Sequence, residues 1–167
     1  MSYPSPCCKL KLFTTFASVG VETSQIEFLP VVMLRLIGQD GHKTSTVYNV
    51  EPYIHGNFTK ITNNWGFVDR DGQGSKLLLA FSHFTSEKSN QSLLIVDHQG
   101  WTSSDHLSTT FLTDPQIHSV DKKHFGIGNL GQEGIEKFWK DVHRECNEIC
   151  LQLGLRRPQV PQVPILP

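Results

Sequence analysis

The sequence lacks several features that would place it in a common class of protein at once. It has no apolar run long enough to cross a membrane, and its first residues lack the apolar core of a secretory signal peptide. Lysine and arginine (15 together) do not outnumber aspartate and glutamate (16), so no basic surface points to nucleic acid. We therefore expect an intracellular, cytoplasmic protein with neither a membrane nor a nucleic-acid partner.

Cysteine is also scarce, with four residues in the whole chain. Cys7 and Cys8 are adjacent and poorly placed to staple distant segments, while Cys146 and Cys150 lie one helical turn apart. This pattern is not that of a secreted disulfide scaffold, which agrees with a reducing, intracellular setting.

The chain is long enough for one globular domain, since 38% of its 167 residues are hydrophobic. Apolar, β-branched residues predict two antiparallel strands joined by a polar turn, the first within Ile26–Ile37 and the second within Thr44–Val50. Apolar residues at helical spacing predict a helix over Lys76–Ser86, and an apolar strand is predicted over Ser92–Val96.

The strand over Ser92–Val96 stops abruptly at Asp97, which is followed by Gln99 and later by Asp114. Side chains at the carboxyl end of a buried strand face a crevice, which is where open sheets place reactive groups. Two carboxylates and an amide oxygen suit a hard cation such as Mg²⁺. Ordinary acidic residues in loops remain the alternative interpretation.

A series of sequence blocks in a fixed order resembles the alpha-kinase family of atypical serine/threonine protein kinases. The blocks are YNVEPYIHGNFTKITNNWGFV, AFSHFT, LLIVDHQG, TDPQIH, FGIGNLG and CNEICLQLGL. The resemblance covers roughly residues 26–157. It implies an α+β, alpha-type kinase fold, mostly the C-terminal lobe with a partial N-terminal lobe. Residues 1–25 would then be a ragged N-terminal remnant and residues 158–167 a proline-rich, mobile tail.

The resemblance also implies a function, the transfer of the ATP γ-phosphate to serine or threonine of a protein substrate. Asp97 and Gln99 would hold Mg²⁺ and the nucleotide phosphates, and Asp114 would act near the attacking hydroxyl. Either aspartate could accept the proton. Glu51 would lie at the hinge between lobes, where the adenine of ATP binds, although it could equally be a solvated acid at a strand end.

The run from Gly126 to Gly131 satisfies the pattern G-x-G-x-x-G and precedes a helix. It is a weak dinucleotide signature, because the residues before it are polar and cannot form the apolar strand of that motif. The resemblance implies instead a loop beside the cleft that places the substrate peptide, through Gly126, Gly128, Asn129 and Gly131. A merely flexible loop is the alternative.

Apolar residues at steps of three and four predict one long helix over Gln132–Leu153. His143, Cys146 and Cys150 would share a face of this helix and could converge on one point, and His83 would bring the number of ligands to four. Two imidazoles and two thiolates suit a closed structural Zn²⁺ site. His143 is the least secure ligand, because the resembling family usually places its histidine at the position of Arg144. The alternative is a helix with two small buried cysteines.

Phosphoryl transfer also requires positive charge on the phosphates, usually a lysine on a strand and a loop over the nucleotide. In the resembling family both lie well upstream of the hinge. Here only Lys9, Lys11 and Lys43 precede Glu51, and none lies in a matching strand. The sequence thus supports two functions: an alpha-type kinase domain of weak or absent activity, or a catalytically silent, zinc-stabilised module that binds a peptide or protein. A metal-dependent hydrolase lacks any nucleophile motif.

Overall fold

The computed structural model describes residues 26–39, 41–72, 74–102 and 109–158. The ragged N-terminal remnant, nearly all of the proline-rich tail and the middle of the interval after Gly100 lie outside these residues. The strands are β1 (Ile26–Phe28), β2 (Val32–Ile37), β3 (Lys43–Val50), β4 (Phe58–Lys60), β5 (Leu93–Val96), β6 (Gln99–Thr102), β7 (Thr110–Leu112) and β8 (Gln116–Ser119). The helices are α1 (Ser75–Lys88), α2 (Gln132–Lys137), a π-helix (Phe138–Val142) and α3 (Glu148–Gln152).

Helix α1 lies at the centre of the fold and confirms the helix predicted for this segment. It is buried from Leu77 to Ser86, and its apolar side chains pack against β5 and α3. Two of the hydroxyls buried with them donate hydrogen bonds to the helix itself, Ser82 to the carbonyl of Leu78 (3.2 Å) and Thr85 to the carbonyl of Ser82 (2.7 Å). The hydroxyls of Ser75 and Ser86 are also buried but have no hydrogen-bond partner among the described residues, so the helix satisfies only part of the polar groups that it carries into the core.

Two small sheets meet at the end of β5. One is the antiparallel pair β5–β8, in which Val96 is opposite Gln116. The other has the order β1-β7-β6-β4, with β1 parallel to β7 and the remaining pairs antiparallel. Gly100 on β6 permits this arrangement, because a Cβ there would lie 1.8 Å from the carbonyl oxygen of Phe111 on β7.

Strands β2 and β3 form a ribbon that pairs with no further strand among the described residues. The antiparallel pair was predicted, but β1 was not predicted as a separate strand. Strand β1 belongs to the four-stranded sheet, because Pro30 interrupts the chain between β1 and β2. One face of the ribbon is apolar, with its side chains about half exposed: Val32, Leu34, Tyr48 and Val50.

The prediction of one continuous helix over Gln132–Leu153 was wrong. The π-helix, in which the amide of His143 bonds to the carbonyl of Phe138 (2.8 Å), ends the first part at His143. The second part starts anew at Asn147, whose side-chain oxygen accepts hydrogen bonds from the amides of Ile149 and Cys150. The apolar periodicity continued through this break, so periodicity alone could not reveal it. In the described part of the chain, no helix combines the length and apolar character that a membrane span requires.

Candidate functional site

The three oxygen-bearing residues predicted from sequence lie at one junction between the two sheets. Asp97 directly follows β5, and Asp114 stands two residues before Gln116, the partner of Val96 on β8. Because β5 and β8 are antiparallel, the end of one and the start of the other lie at the same edge. Gln99 begins β6, and its carbonyl accepts a hydrogen bond from the amide of Thr113 (3.0 Å). The fold thus gathers Asp97, Gln99 and Asp114 along one edge.

Lys60, at the end of β4, brings a positive charge to this edge. Its Nζ lies 2.7 Å from Oδ1 of Asp97 and 2.9 Å from Oε1 of Gln99. The contact follows from the register of β4 and β6, in which Lys60 is opposite Gln99. Sequence reasoning missed this residue because it sought a lysine only before Glu51. No local pattern reveals it, since the two strands lie 39 residues apart.

The turn that carries Asp97 is held from several sides. Asp97 itself is buried (8% exposed) with a φ of 62°, in the left-handed region that non-glycine residues rarely adopt. The carbonyl of His98 accepts hydrogen bonds from the amides of Ile61 and Thr62, and its ring Nε2 lies 2.7 Å from the Ser82 hydroxyl on α1. Burial lowers the pKa of His98 to about 3, so its ring is neutral. The turn is therefore anchored to α1 and to the chain after β4.

Glu51 follows β3 and reaches the same edge. Its Oε2 accepts a hydrogen bond from the Thr113 hydroxyl at 2.5 Å, and Thr113 directly precedes Asp114. The structure therefore joins the residue expected at the hinge to the segment that carries the second aspartate.

The glycine loop is shaped by Asn129, which is buried (2% exposed). Its Oδ1 accepts hydrogen bonds from the amides of Ser119 and Gly131, and its Nδ2 donates to the Ser119 hydroxyl and the His124 carbonyl. Of the residues predicted to contact a peptide, Asn129 thus has its side chain committed inward. The exposed backbone of Gly126 and the fully exposed side chain of Ile127 form the outer part of the loop, whereas Gly128 is half-buried against the side chain of Gln116.

His118 on β8 ties the glycine loop to the asparagine-rich loop before α1. Its Nδ1 accepts a hydrogen bond from the amide of Leu130 (3.2 Å), so Nε2 carries the proton and donates to the carbonyl of Asn64 (2.9 Å). Asn64 in turn donates to the carbonyl of Gly128 (3.2 Å). Burial lowers the pKa of His118, which keeps the neutral form that both bonds require.

The four predicted metal ligands converge behind this edge, with their ligating atoms all within 4.8 Å of one another. Nδ1 of His83 lies 3.2 Å from Nε2 of His143, which lies 3.4 Å from Sγ of Cys150, and Sγ of Cys146 lies 3.9 Å from Nδ1 of His83. The convergence does not come from one helix face. It results from α1, the end of the π-helix and the start of α3, which meet at this point.

The separations of 3.2 Å between the two ring nitrogens and 3.4 Å between Nε2 of His143 and Sγ of Cys150 are close to the edges of a tetrahedron around a zinc ion, and the remaining pairs of ligating atoms lie within 4.8 Å. At usual Zn–N and Zn–S lengths, two nitrogens would lie about 3.3 Å apart and a nitrogen and a sulfur about 3.6 Å apart. Burial lowers the pKa of His83 and lowers that of His143 to about 4, so both rings are neutral and can donate a lone pair. Burial also raises the pKa of the Cys150 thiol to about 11, so the thiol is protonated at neutral pH. A bound cation would be needed to stabilise the thiolate form that binds a metal ion. The donor set and its geometry fit Zn²⁺.

Comparison with known proteins identifies relatives of this chain in one family of protein kinases. The family model described as "Alpha-kinase family" matches residues 9–150. The chain is 40% identical over 137 residues to human alpha-protein kinase 1, covering 82% of this chain and 11% of that protein. It is 46% identical over 132 residues to myosin heavy chain kinase B of Dictyostelium discoideum, covering 79% of this chain and 16% of that protein.

Solved structures with the same fold include the inactive alpha-kinase domain of myosin-II heavy chain kinase A complexed with ATP. The TM-score is 0.74 at 34% identity, covering 90% of this chain and 55% of that chain. The same domain in complex with AMP-PNP gives 0.73, covering 53% of that chain. The chain thus spans about half of the solved domains and a small part of the curated relatives. The fold predicted from the sequence is confirmed, and the chain belongs to the alpha-kinase family.

Proposed function

We propose that this chain is an alpha-type serine/threonine protein kinase domain that transfers the ATP γ-phosphate to a protein hydroxyl. The observation that carries the proposal is the junction of Asp97, Gln99 and Lys60 at one sheet edge, with Asp114 on the same edge. Phosphoryl transfer requires oxygen ligands for a divalent cation and positive charge for the phosphates in one place. Lys60 would supply the positive charge on the phosphates. The relatives that bind ATP and its analogues have the same fold.

Each residue has a role that follows from its position. Asp97 and Gln99 would bind Mg²⁺, which supplies charge neutralisation of the phosphates. Lys60 would turn from Asp97 to the γ-phosphate oxygens and hold them in line with the acceptor. The serine or threonine oxygen then forms a bond to the γ-phosphorus as the bond to the β-phosphate oxygen breaks, and its proton passes to the carboxylate of Asp114 or Asp97. ADP leaves with the charge of the broken bond.

Glu51 would bind the nucleotide, and the glycine loop would bind the protein substrate. Because the Thr113 hydroxyl holds Glu51 beside Asp114, a nucleotide base at the hinge would place its phosphates toward this edge. The backbone of Gly126, Gly128 and Gly131 would contact the protein substrate, while the Asn129 side chain holds the loop in shape. Asn129 is thereby reassigned from a contact residue to a residue that shapes the loop.

His83, His143, Cys146 and Cys150 would hold a structural Zn²⁺. The site is closed by four protein ligands, which is typical of structural and not catalytic zinc. Such a site contributes folding free energy, because the unfolded chain does not hold the four ligands together. Thiolate ligands require reducing conditions, so a cytoplasmic location is part of this proposal.

A second candidate is the catalytically silent, zinc-stabilised binding module. It is favoured by one observation, that Nζ of Lys60 lies 2.7 Å from Oδ1 of Asp97 and 2.9 Å from Oε1 of Gln99, in the position that a divalent cation would occupy. In this alternative the same edge would bind a peptide without transferring phosphate.

Transfer of labelled phosphate from ATP to a generic basic protein distinguishes the two candidates. Asp114→Asn and Asp97→Asn remove the charge of each carboxylate and keep a residue that tolerates a positive φ. Both should lower the rate by roughly 100-fold or more, while the surface change Glu136→Gln should leave it unaltered. A wild-type signal no higher than that of Asp114→Asn would refute kinase activity and support the binding module.

A further inference from the structure

The segment Leu155–Arg157, here called the C-terminal strap, crosses the metal cluster on the side of α1. It begins where the amide of Leu155 bonds to the carbonyl of Cys150 (2.9 Å), directly after α3. The Leu155 side chain is 6% exposed and packs in the same core as α1. The strap is therefore fixed at its start beside one cysteine of the cluster.

The carbonyl of Arg156 contacts the other side of the cluster. It accepts a hydrogen bond from Nε2 of His83 at 3.1 Å. A neutral imidazole carries one proton, so this bond places the proton on Nε2 and leaves the lone pair on Nδ1. Nδ1 is the atom that faces His143 and Cys146. The strap thus selects the tautomer of His83 that can bind a metal ion.

Glu87 holds Arg156 in position for this contact. Its Oε2 accepts a hydrogen bond from the amide of Arg156 at 3.0 Å. Glu87 lies one turn after His83 on α1, so the two side chains share a face and contact the amide and the carbonyl of the same residue. The side chain of Arg156 takes no part in either bond.

Arg157 anchors the far end of the strap to the π-helix. Its guanidinium donates to the carbonyls of Trp139 (2.7 Å) and Arg144, and it lies 5.8 Å from the centre of the Trp139 ring. That ring meets the ring of His83 edge-on at 4.8 Å between centres. The strap therefore connects the two elements that carry the histidine ligands.

We propose that Glu87 is a positioning residue for the zinc ligand His83 and acts through the backbone of Arg156. The inference rests on the zinc site of the proposed function. Groups that orient a metal-binding histidine typically change metal affinity by about 10- to 100-fold when removed. Because Glu87 is exposed, we expect an effect near the lower end of this range.

The test is a competition between the full, zinc-loaded chain and a chromogenic chelator, with zinc as the probe. Glu87→Ala should raise the zinc dissociation constant roughly tenfold. Glu87→Gln, which keeps an acceptor oxygen, should restore most of the affinity. Arg156→Ala is the matched control, since it keeps the amide and the carbonyl, and should bind as the wild type does. Circular dichroism of the zinc-loaded variants would show that each is folded.

Substitution of Co²⁺ for Zn²⁺ adds a spectroscopic readout of the ligand geometry. The absorption bands of the bound Co²⁺ should shift in Glu87→Ala and return in Glu87→Gln. Equal zinc affinity in wild type and Glu87→Ala would overturn the inference, and so would a Glu87→Gln variant as weak as Glu87→Ala. A wild-type chain that is folded but takes up no zinc would overturn the metal site itself, and with it this inference.

Discussion

Lys60 is expected to compete with the divalent cation for Asp97 and Gln99 when no nucleotide is present. Its Nζ lies 2.7 and 2.9 Å from their oxygens, whereas Mg²⁺ would lie about 2.1 Å from each. The ammonium and the ion cannot share this position. We therefore predict that Lys60→Met, which keeps the length and removes the charge, binds Mn²⁺ more tightly than the wild type while losing phosphate transfer.

The size of the effect follows from the charges and the exposure of the lysine. At about 4 Å, a unit charge and a divalent cation repel by about 2 kcal/mol at the dielectric constant of water. The Lys60 side chain is 41% exposed, so this solvated limit applies and part of the repulsion is relieved when the side chain moves away. A gain in Mn²⁺ affinity of about tenfold is therefore expected.

Titration of the nucleotide-free chain with Mn²⁺, followed by electron paramagnetic resonance of the free ion, measures this affinity directly. Lys76→Met is the matched control, because Lys76 forms an exposed ion pair with Glu148 away from the site (2.8 Å) and should leave Mn²⁺ binding unchanged. Equal or weaker Mn²⁺ binding by Lys60→Met would refute the assignment of the divalent cation to Asp97 and Gln99.

Three further results are expected. Gly100→Ala should lower the free energy of unfolding, measured in urea, by about 3 kcal/mol or more. The reason is that its Cβ would lie 1.8 Å from the Phe111 carbonyl oxygen, so β6 must separate from β7. A change below about 1 kcal/mol would contradict the close approach of these strands. Burial lowers the pKa of His118 in the folded chain, although the Asn64 carbonyl and Asp97 oppose this shift. Below pH 6.5 the unfolded chain therefore binds a proton at His118 more readily than the folded chain does. Stability should fall with decreasing pH by up to about 1.4 kcal/mol per unit from this residue, and a urea series at pH 7.5 and 5.5 should show a smaller fall in His118→Gln. Removal of metal by a chelator should lower the melting temperature by about 10 °C or more, and Cys150→Ser should show no such response.

Local pattern was sufficient to predict the elements that are formed by neighbours in the chain. The helix α1, the strand β5 and the β2–β3 ribbon all follow from apolar spacing and turn residues. The break after the π-helix did not, because the apolar periodicity passes through it while the capping bonds of Asn147 depend on one side chain. Capping residues can mark such a break, and Asn147 directly before Glu148 was the available signal.

The candidate site also contains some residues that local sequence predicts and others that depend on the tertiary fold. Asp97 and Gln99 were predicted because an apolar strand ends beside them, and Asp114 because it lies in the next block of the family pattern. Lys60 was missed because its contacts depend on the pairing of β4 with β6, which is set by the tertiary fold. The inward orientation of Asn129 was equally hidden, since the hydrogen bond from the Ser119 amide to its side chain forms only when β8 is in place.

The π-helix has a consequence for how the metal cluster of this chain would respond to an insertion or deletion before His143. One additional residue in a helical turn rotates everything after it by about 100° around the axis, which changes the side chain offered to a fixed neighbour. Here the wide turn over Phe138–Val142 presents His143, and not Arg144, to the thiols. Deleting one residue from this turn would therefore rotate His143 away from the thiols, so the length of the π-helix determines which side chain completes the cluster.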